Sequence, residues 1–176
     1  MRLDDNDFTL FGLPARFDVD RQEVDARWRA LQAQVHPDRF AAEGASAQRQ
    51  AMQWAVRVNE AHRRLRDPLS RAAYLCELRG APVNAERHTA MPQAFLMQQM
   101  QWRECLEEAH SVEQVQALER EVATQEREFL DTLTVQLGEP GDPPSAADTV
   151  RALMFLERFR TDIDRRLESL EQGSSH

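Results

Sequence analysis

A histidine and an aspartate stand two residues apart in the segment Val35-His36-Pro37-Asp38-Arg39. An imidazole and a carboxylate at this spacing can form an acid–base pair for catalysis. Such an enzyme also needs a nucleophile and an enclosing pocket, and the sequence indicates neither. Pro37 predicts that the preceding helix ends here, because proline lacks an N–H and disfavours helical geometry at His36. An open turn of this kind favours recognition, with catalysis by His36 and Asp38 as the alternative.

The other residues that bind metals or react as nucleophiles are dispersed: His62, His88, His110, His176, Cys76 and Cys105. None has the spacing of a metal site, and no CxxC pair occurs. His62 falls at an apolar position of a helical pattern and is interpreted as a partly buried core residue. The two cysteines are interpreted as reduced thiols in or near a core. The spacing indicates no metal site, and no glycine-rich phosphate loop is present. We expect no metal, no cofactor and no enzymatic activity.

Two amphipathic helices flank the His36–Asp38 turn. The first carries an apolar stripe at helical spacing, formed by Val24, Trp28, Leu31 and Val35. Asp20 and Glu23 are placed as a capping box at its start. The second carries the stripe Ala51, Ala55, Val58, His62 and Leu65. A short loop joins them, which predicts an antiparallel pair with the turn at its exposed tip.

A short apolar cluster precedes this pair: Phe8, Leu10, Phe11 and Leu13. It predicts a brief first helix that covers one side of the helix pair. After Asp67-Pro68 the pattern predicts a short helical tail that ends near Leu78. Glycine and prolines then punctuate the chain, so we expect a domain boundary within residues 76–92.

The second half of the chain predicts three helices in an antiparallel bundle. The first covers residues 93–110, and residues 139–144 form a loop between the other two. The second helix carries the stripe Val115, Leu118, Val122, Phe129, Leu133 and Leu137. The third carries Leu153, Leu156, Phe159, Ile163, Leu167 and Leu170. The predicted fold is all-α: an N-terminal domain at residues 1–76, a linker at 77–92, the bundle at 93–171 and a disordered tail at 172–176.

The helix predicted at residues 93–110 has two apolar sides. Its core stripe is formed by Phe95, Trp102, Leu106 and Ala109. Leu96, Met97 and Met100 lie on the opposite side beside two glutamates, and Phe155 of the last helix is predicted to project away from that helix's core stripe. Exposed apolar side chains with a row of acids favour a binding surface. Cover by the N-terminal domain is the alternative.

The composition excludes several classes of function. The chain has 176 residues, of which 41% are apolar and 30% charged, and its net charge is −8. No face is dominated by Lys or Arg, so nucleic-acid binding is disfavoured. No apolar run reaches membrane-spanning length, and the acidic, polar start does not resemble a targeting peptide. We expect a cytoplasmic protein.

Three ordered blocks resemble a J-domain: residues 7–13 (DFTLFGL), His36-Pro37-Asp38 and residues 58–68 (VNEAHRRLRDP). Further blocks resemble the HscB branch, the J-type co-chaperones of iron–sulfur cluster assembly: residues 8–16 (FTLFGLPAR), 71–75 (RAAYL), 94–97 (AFLM) and 146–151 (AADTVR). The resemblance covers nearly the whole chain. It implies an N-terminal J-domain, formed by the helix pair and the short first helix, and a C-terminal three-helix bundle.

The resemblance implies two protein partners. A DnaK-type chaperone (HscA-like) would be engaged, and its ATP hydrolysis stimulated, through His36, Pro37, Asp38, Arg27, Arg29 and Arg39. Asp25 and Ala30 depart from the basic face that J-domains carry on this helix. An iron–sulfur scaffold protein (IscU-like) would bind at Leu96, Met97, Met100, Gln101, Glu104, Glu108 and Phe155. Gln101 stands where the family often has an acid, and Met100 replaces a leucine. A helical interaction adaptor without chaperone-stimulating activity is the alternative.

Overall fold

In a computed structural model, residues 1–174 are described, and they form seven α-helices and one 3₁₀ turn. The helices are α1 (Asp7–Phe11), α2 (Arg21–Val35), α3 (Ala45–Arg66), α4 (Pro68–Leu78), α5 (Gln93–Glu108), α6 (Val112–Gln136) and α7 (Pro143–Gly173), with the 3₁₀ turn at Pro37–Phe40. No strand occurs in residues 1–174, so the all-α prediction is confirmed. No helix in this range is long and apolar enough to cross a membrane. The chain divides into two compact units, one from Met1 to Leu75 and one from Cys76 onward.

In the first unit, α2 and α3 pack along the two predicted apolar stripes. Val24, Val58 and Leu65 are fully buried between the elements of this unit. The short helix α1 packs against both α2 and α3. It ends at Gly12, whose φ of 64° lies in the left-handed region that glycine adopts without strain. This matches the predicted helix pair with a short covering helix.

Asp20 begins α2, although only half of the predicted capping box forms. The Asp20 carboxylate accepts a hydrogen bond from the backbone N–H of Gln22 at 2.9 Å. Glu23 instead pairs with Arg27 one turn later, with 3.4 Å between Oε1 and Nη2. A side chain at the N-cap therefore starts α2, and Glu23 supports its first turns through an i,i+4 pair.

A buried carboxylate fixes the start of α1 to α3. Asp7 is fully buried, and its Oδ1 and Oδ2 lie 2.8 Å from Arg57 Nη1 and 3.1 Å from Arg64 Nη1. The backbone N–H of Asp7 donates to Tyr74 Oη at 2.9 Å. The Tyr74 ring stacks on Phe8, with 5.9 Å between centroids. Arg57 and Arg64 thus compensate the buried charge of Asp7, and removing them would leave that carboxylate buried without a partner.

In the second unit, α6 and α7 form the longest helix–helix contact, and α5 packs against both. Aromatic rings fill the space between the three helices: Phe95, Trp102, Phe129, Phe155 and Phe159. Phe95 meets Phe129 edge to face at 5.0 Å, and Trp102 stacks on Phe159 at 6.2 Å. Most predicted apolar positions of α5, α6 and α7 thus form one core, while Leu106, Leu167 and Leu170 are only half-buried.

Within the second unit, Arg151 of α7 binds the segment between α4 and α5. This buried guanidinium donates to the carbonyl oxygens of Val83 at 2.8 Å and Ala90 at 3.1 Å. It also pairs with Asp148 at 2.6 Å. Helix α4 itself continues to Leu78, past the predicted end of the N-terminal domain. Much of the segment predicted as a linker is therefore hydrogen-bonded rather than free.

The C-terminus of α7 corrects one expectation. The helix runs through Gly173, and Ser174 caps it with a backbone N–H that donates to Leu170 O at 3.2 Å. The prediction of a disordered tail is therefore wrong for residues 172 and 173, where polar composition alone misled us. Ser175 and His176 lie outside the described residues.

Candidate functional site

The tip of the first unit consists of His36, Pro37, Asp38 and Arg39. Helix α2 ends at Val35, and His36 takes an extended conformation with φ −60° and ψ 127°. Pro37 opens the 3₁₀ turn at its first position, where the missing N–H costs no hydrogen bond. Arg39 Nη1 donates to the carbonyl oxygen of Ala33 at 2.7 Å, which ties the turn back to the last residues of α2. The turn is therefore hydrogen-bonded to α2 while its side chains stay exposed.

His36 and Asp38 contact each other at the tip. His36 Nδ1 accepts a hydrogen bond from the backbone N–H of Asp38 at 3.3 Å and lies 3.5 Å from Asp38 Oδ2. Their side chains are 53% and 91% exposed. The tip thus presents an imidazole and a carboxylate to solvent, a pair suited to recognition.

The arginines of α2 differ in how freely they face solvent. Arg27 is paired with Glu23 at 3.4 Å. Arg29 is exposed and has no hydrogen-bond or ion-pair partner within residues 1–174. Of the two α2 arginines that the resemblance assigns to chaperone binding, Arg29 is therefore the one free to meet an acidic partner.

Asp25, which departs from the expected basic face, faces α3. Its Oδ1 accepts a hydrogen bond from His62 Nε2 at 2.7 Å and lies 3.1 Å from Arg66 Nε. The His62 ring stacks on Trp28, with 4.3 Å between centroids. His62 is thus a partly buried core residue, as predicted. Asp25 has a structural contact in place of a partner-facing charge.

Asn59 completes a polar network that sequence reasoning missed. Its Oδ1 accepts from the indole N–H of Trp28 at 2.9 Å and from the side-chain amide of Gln32. A half-buried indole N–H requires an acceptor. Trp28 lies in the predicted stripe, and its indole N–H indicates that α3 should carry an acceptor. Asn59 on α3 is that acceptor.

The α5 surface is defined here by six residues of that helix: Leu96, Met97, Met100, Gln101, Glu104 and Glu108. All six are exposed. The three apolar side chains are 46%, 70% and 74% exposed in that order. The opposite side of α5 is buried through Phe95 and Trp102. An apolar patch with acids on a helix anchored from behind is suited to binding a protein partner.

The expectation for Phe155 is wrong. Its side chain is only 6% exposed, packs edge to face on Phe95 at 5.7 Å and stacks on Phe159 at 5.7 Å. The prediction assumed a single core stripe on α7. Because α7 packs against both α5 and α6, its buried arc is wider than one stripe. Phe155 supports the aromatic core beneath the α5 surface and is not an exposed anchor.

Metal-ligating side chains do not cluster in the described chain. No group of three or more His, Cys, Asp or Glu in residues 1–174 is arranged to hold a metal ion. Cys76 and Cys105 are free thiols, the first buried and the second exposed. Burial raises the pKa of the Cys76 thiol to about 11, although the charges of Arg79 and Arg151 act in the opposite direction.

Comparison with known proteins adds to this geometry. Residues 91–164 match a family described as the HSCB C-terminal oligomerisation domain. A "Co-chaperone protein HscB homolog" from Burkholderia multivorans is 50% identical over 172 residues, which cover 96% of this chain and 98% of that protein. The structure of the chaperone HscB from Vibrio cholerae aligns with a TM-score of 0.79 at 35% identity, covering 94% of this chain and 99% of that one. Human co-chaperone HscB aligns with a TM-score of 0.85 at 25% identity, covering 94% and 84%.

Proposed function

The chain belongs to the HscB family of co-chaperones, and from that premise we propose that it couples a DnaK-type chaperone of the HscA-like kind to an IscU-like iron–sulfur scaffold protein. Its fold is that of the family, an N-terminal J-domain followed by a C-terminal helical bundle. In the proposed role, the J-domain tip stimulates ATP hydrolysis by the chaperone, and the α5 surface holds the scaffold. The observation that carries the proposal is the presence of two exposed candidate surfaces, the tip and the α5 surface, on separate units of one chain.

The geometry of the tip supports the chaperone half of the proposal. His36 and Asp38 are exposed but fixed by the 3₁₀ turn and by the hydrogen bond from Arg39 to α2. A co-chaperone accelerates its partner only by binding one conformational state more tightly than another. The 3₁₀ turn sets the backbone positions of the two side chains, which reduces the backbone entropy lost on binding. Arg29 would add electrostatic steering toward an acidic surface.

The α5 surface supports the scaffold half. Met97 and Met100 are flexible, polarizable side chains that adapt to a partner. Their backbone is fixed because Trp102 and Phe95 anchor the other side of the helix. Glu104 and Glu108 flank the apolar patch and favour basic residues on the scaffold. With Phe155 buried, the contact area proposed here comes from α5.

The tip is tested by chaperone ATP hydrolysis. We expect His36→Gln to abolish stimulation while the free energy of unfolding changes by less than about 0.5 kcal/mol, because His36 is an exposed turn residue. His88→Gln, at another exposed histidine, is the matched control and should stimulate like the wild type. Steady-state hydrolysis and a denaturation curve on the same preparations decide the matter. A folded His36→Gln variant with normal stimulation would remove the tip from the proposal.

A further inference from the structure

A basic groove lies in the second unit between α5 and α7. Its volume is about 390 Å³, and it is lined chiefly by Arg103, Arg158, Arg165, Asp162, Phe155 and Phe159. Three guanidinium groups and one carboxylate line this groove, although the chain as a whole is acidic, with 30 acidic and 22 basic residues. The scaffold-binding role proposed above uses none of these arginines.

The positive charge of this groove is largely uncompensated. Asp162 is the carboxylate in its lining, and it lies 3.8 Å from Arg165 Nη1 with both side chains more than half exposed. Such a pair is weak in water. Arg103 and Arg158 have no carboxylate within ion-pair distance in residues 1–174. The groove therefore presents an excess of cationic donors to solvent.

The floor of the groove holds one of these cations in place. Phe155 and Phe159 stack at 5.7 Å, and the Arg103 guanidinium lies 5.3 Å from the centroid of the Phe155 ring. An aromatic face attracts a guanidinium and reduces its freedom without neutralising its charge. Planar guanidinium groups bind carboxylates through two parallel hydrogen bonds. An ordered arginine above an aromatic floor is thus prepared for a carboxylate.

We propose that this groove binds an acidic peptide segment of the scaffold protein, which rests on the proposed function for the identity of that partner. Arg103 lies on α5 between Gln101 and Glu104 of the α5 surface, so the groove is continuous with it in sequence and on the same helix. A scaffold docked on the α5 surface would meet the exposed glutamates of α5 and, beside them, the arginines of the groove. Opposite charges on neighbouring parts of a surface fix the orientation of a partner and disfavour the reverse one.

Arg158→Glu is the test variant, because Arg158 is exposed and has no hydrogen-bond or ion-pair partner within residues 1–174. Arg127→Glu on α6 is the matched control, since Arg127 is exposed and lies outside the groove lining. Binding of a fluorescein-labelled polyglutamate peptide is followed by anisotropy at low ionic strength, with a polylysine peptide as the opposite-charge probe. Titration of the scaffold protein is followed by calorimetry on the same samples.

We expect polyglutamate to bind the wild type and the Arg127→Glu control, and Arg158→Glu to weaken it by about tenfold or more, since like charges then oppose each other. Scaffold affinity should fall in parallel and become less sensitive to salt. Equal polyglutamate affinity of Arg158→Glu and the Arg127→Glu control would contradict the proposal. Unchanged scaffold affinity of Arg158→Glu would contradict it too. Failure of the scaffold to bind even the wild type would contradict the proposed function, while the polyglutamate arm would still decide whether the groove binds acidic peptides.

Discussion

Asp25 connects α2 to α3 through His62 and Arg66. The hydrogen bond donated by His62 is the main reason why the pKa of the Asp25 carboxyl lies below its ordinary value of 3.8, and the charge of Arg66 adds to it. Partial burial acts in the opposite direction. The ionised form of Asp25 is thus favoured in the folded protein. Asp25 stands at a position of the expected basic face, and in this protein it joins α2 to α3.

The lowered pKa of Asp25 predicts an acid-sensitive contribution to stability. Because the unfolded chain holds this proton more tightly, the contribution is complete above the unfolded pKa of 3.8 and is lost as pH falls through the lower folded value. We expect the wild type to be more stable than Asp25→Asn at about pH 5, and the difference to shrink at about pH 2. Urea unfolding at both pH values measures it. A difference that does not vary with pH would contradict the assignment.

The two cysteines predict a second measurement at the residue scale. The thiolate is the reactive form, and Cys76 is fully buried with its pKa raised to about 11 by burial. Cys105 is exposed on α5. At about pH 8 we expect a maleimide to modify Cys105 alone in the native protein, and both thiols in denaturant. Mass spectrometry counts the adducts, and Cys105→Ser should react slowly. Rapid double modification of the native wild type would show that Cys76 is accessible.

The sequence specified the helices well, because apolar spacing and proline or glycine punctuation are local signals. The stripe of α6, the end of α2 before Pro37 and the Asp20 cap were all predicted from such signals. Contacts between distant residues were not predictable. Asp7 is paired with Arg57 and Arg64, and no local pattern indicates which of many arginines meets a buried carboxylate.

Helix α7 shows where a helical wheel fails. A wheel gives the direction of each side chain but not the number of neighbours around the helix. Phe155 was placed outside the core stripe, yet α5 covers that side of α7 and buries its ring. On α5, the side opposite Phe95 and Trp102 is not covered by another described helix of this unit. The helical wheel therefore placed Leu96, Met97 and Met100 correctly as exposed side chains. Whether they bind the scaffold stays a prediction.

Burial separates Phe155 from Met97 in a stability measurement. Phe155→Ala removes a ring that packs on Phe95 and Phe159, and we expect a loss of about 3–5 kcal/mol in the free energy of unfolding. Met97 is 70% exposed, so Met97→Ala should change that quantity by less than about 0.5 kcal/mol. Chemical denaturation of both variants measures the difference. Similar effects of the two substitutions would mean that the assigned burial of Phe155 or the exposure of Met97 is incorrect.

At the scale of the whole molecule, the proposed tip and the α5 surface lie on different units of one chain. Each site can be altered without touching the core of the other unit, since His36 and the apolar residues of the α5 surface are exposed. Joining two binding sites covalently raises the effective concentration of one partner for the other. The proposed function requires both sites on the same chain. If the two sites acted independently, they could lie on separate chains.

A complementation assay tests that coupling most directly. One variant carries His36→Gln, and the other carries Leu96→Ala, Met97→Ala and Met100→Ala together. Hydrolysis of ATP by the chaperone is measured in the presence of scaffold with the wild type, with each variant, and with an equal mixture of both variants. We expect the mixture to fall far below the wild type, because no chain in it carries both sites. A mixture that matches the wild type would contradict the account, since the two sites would then not need to lie on one molecule.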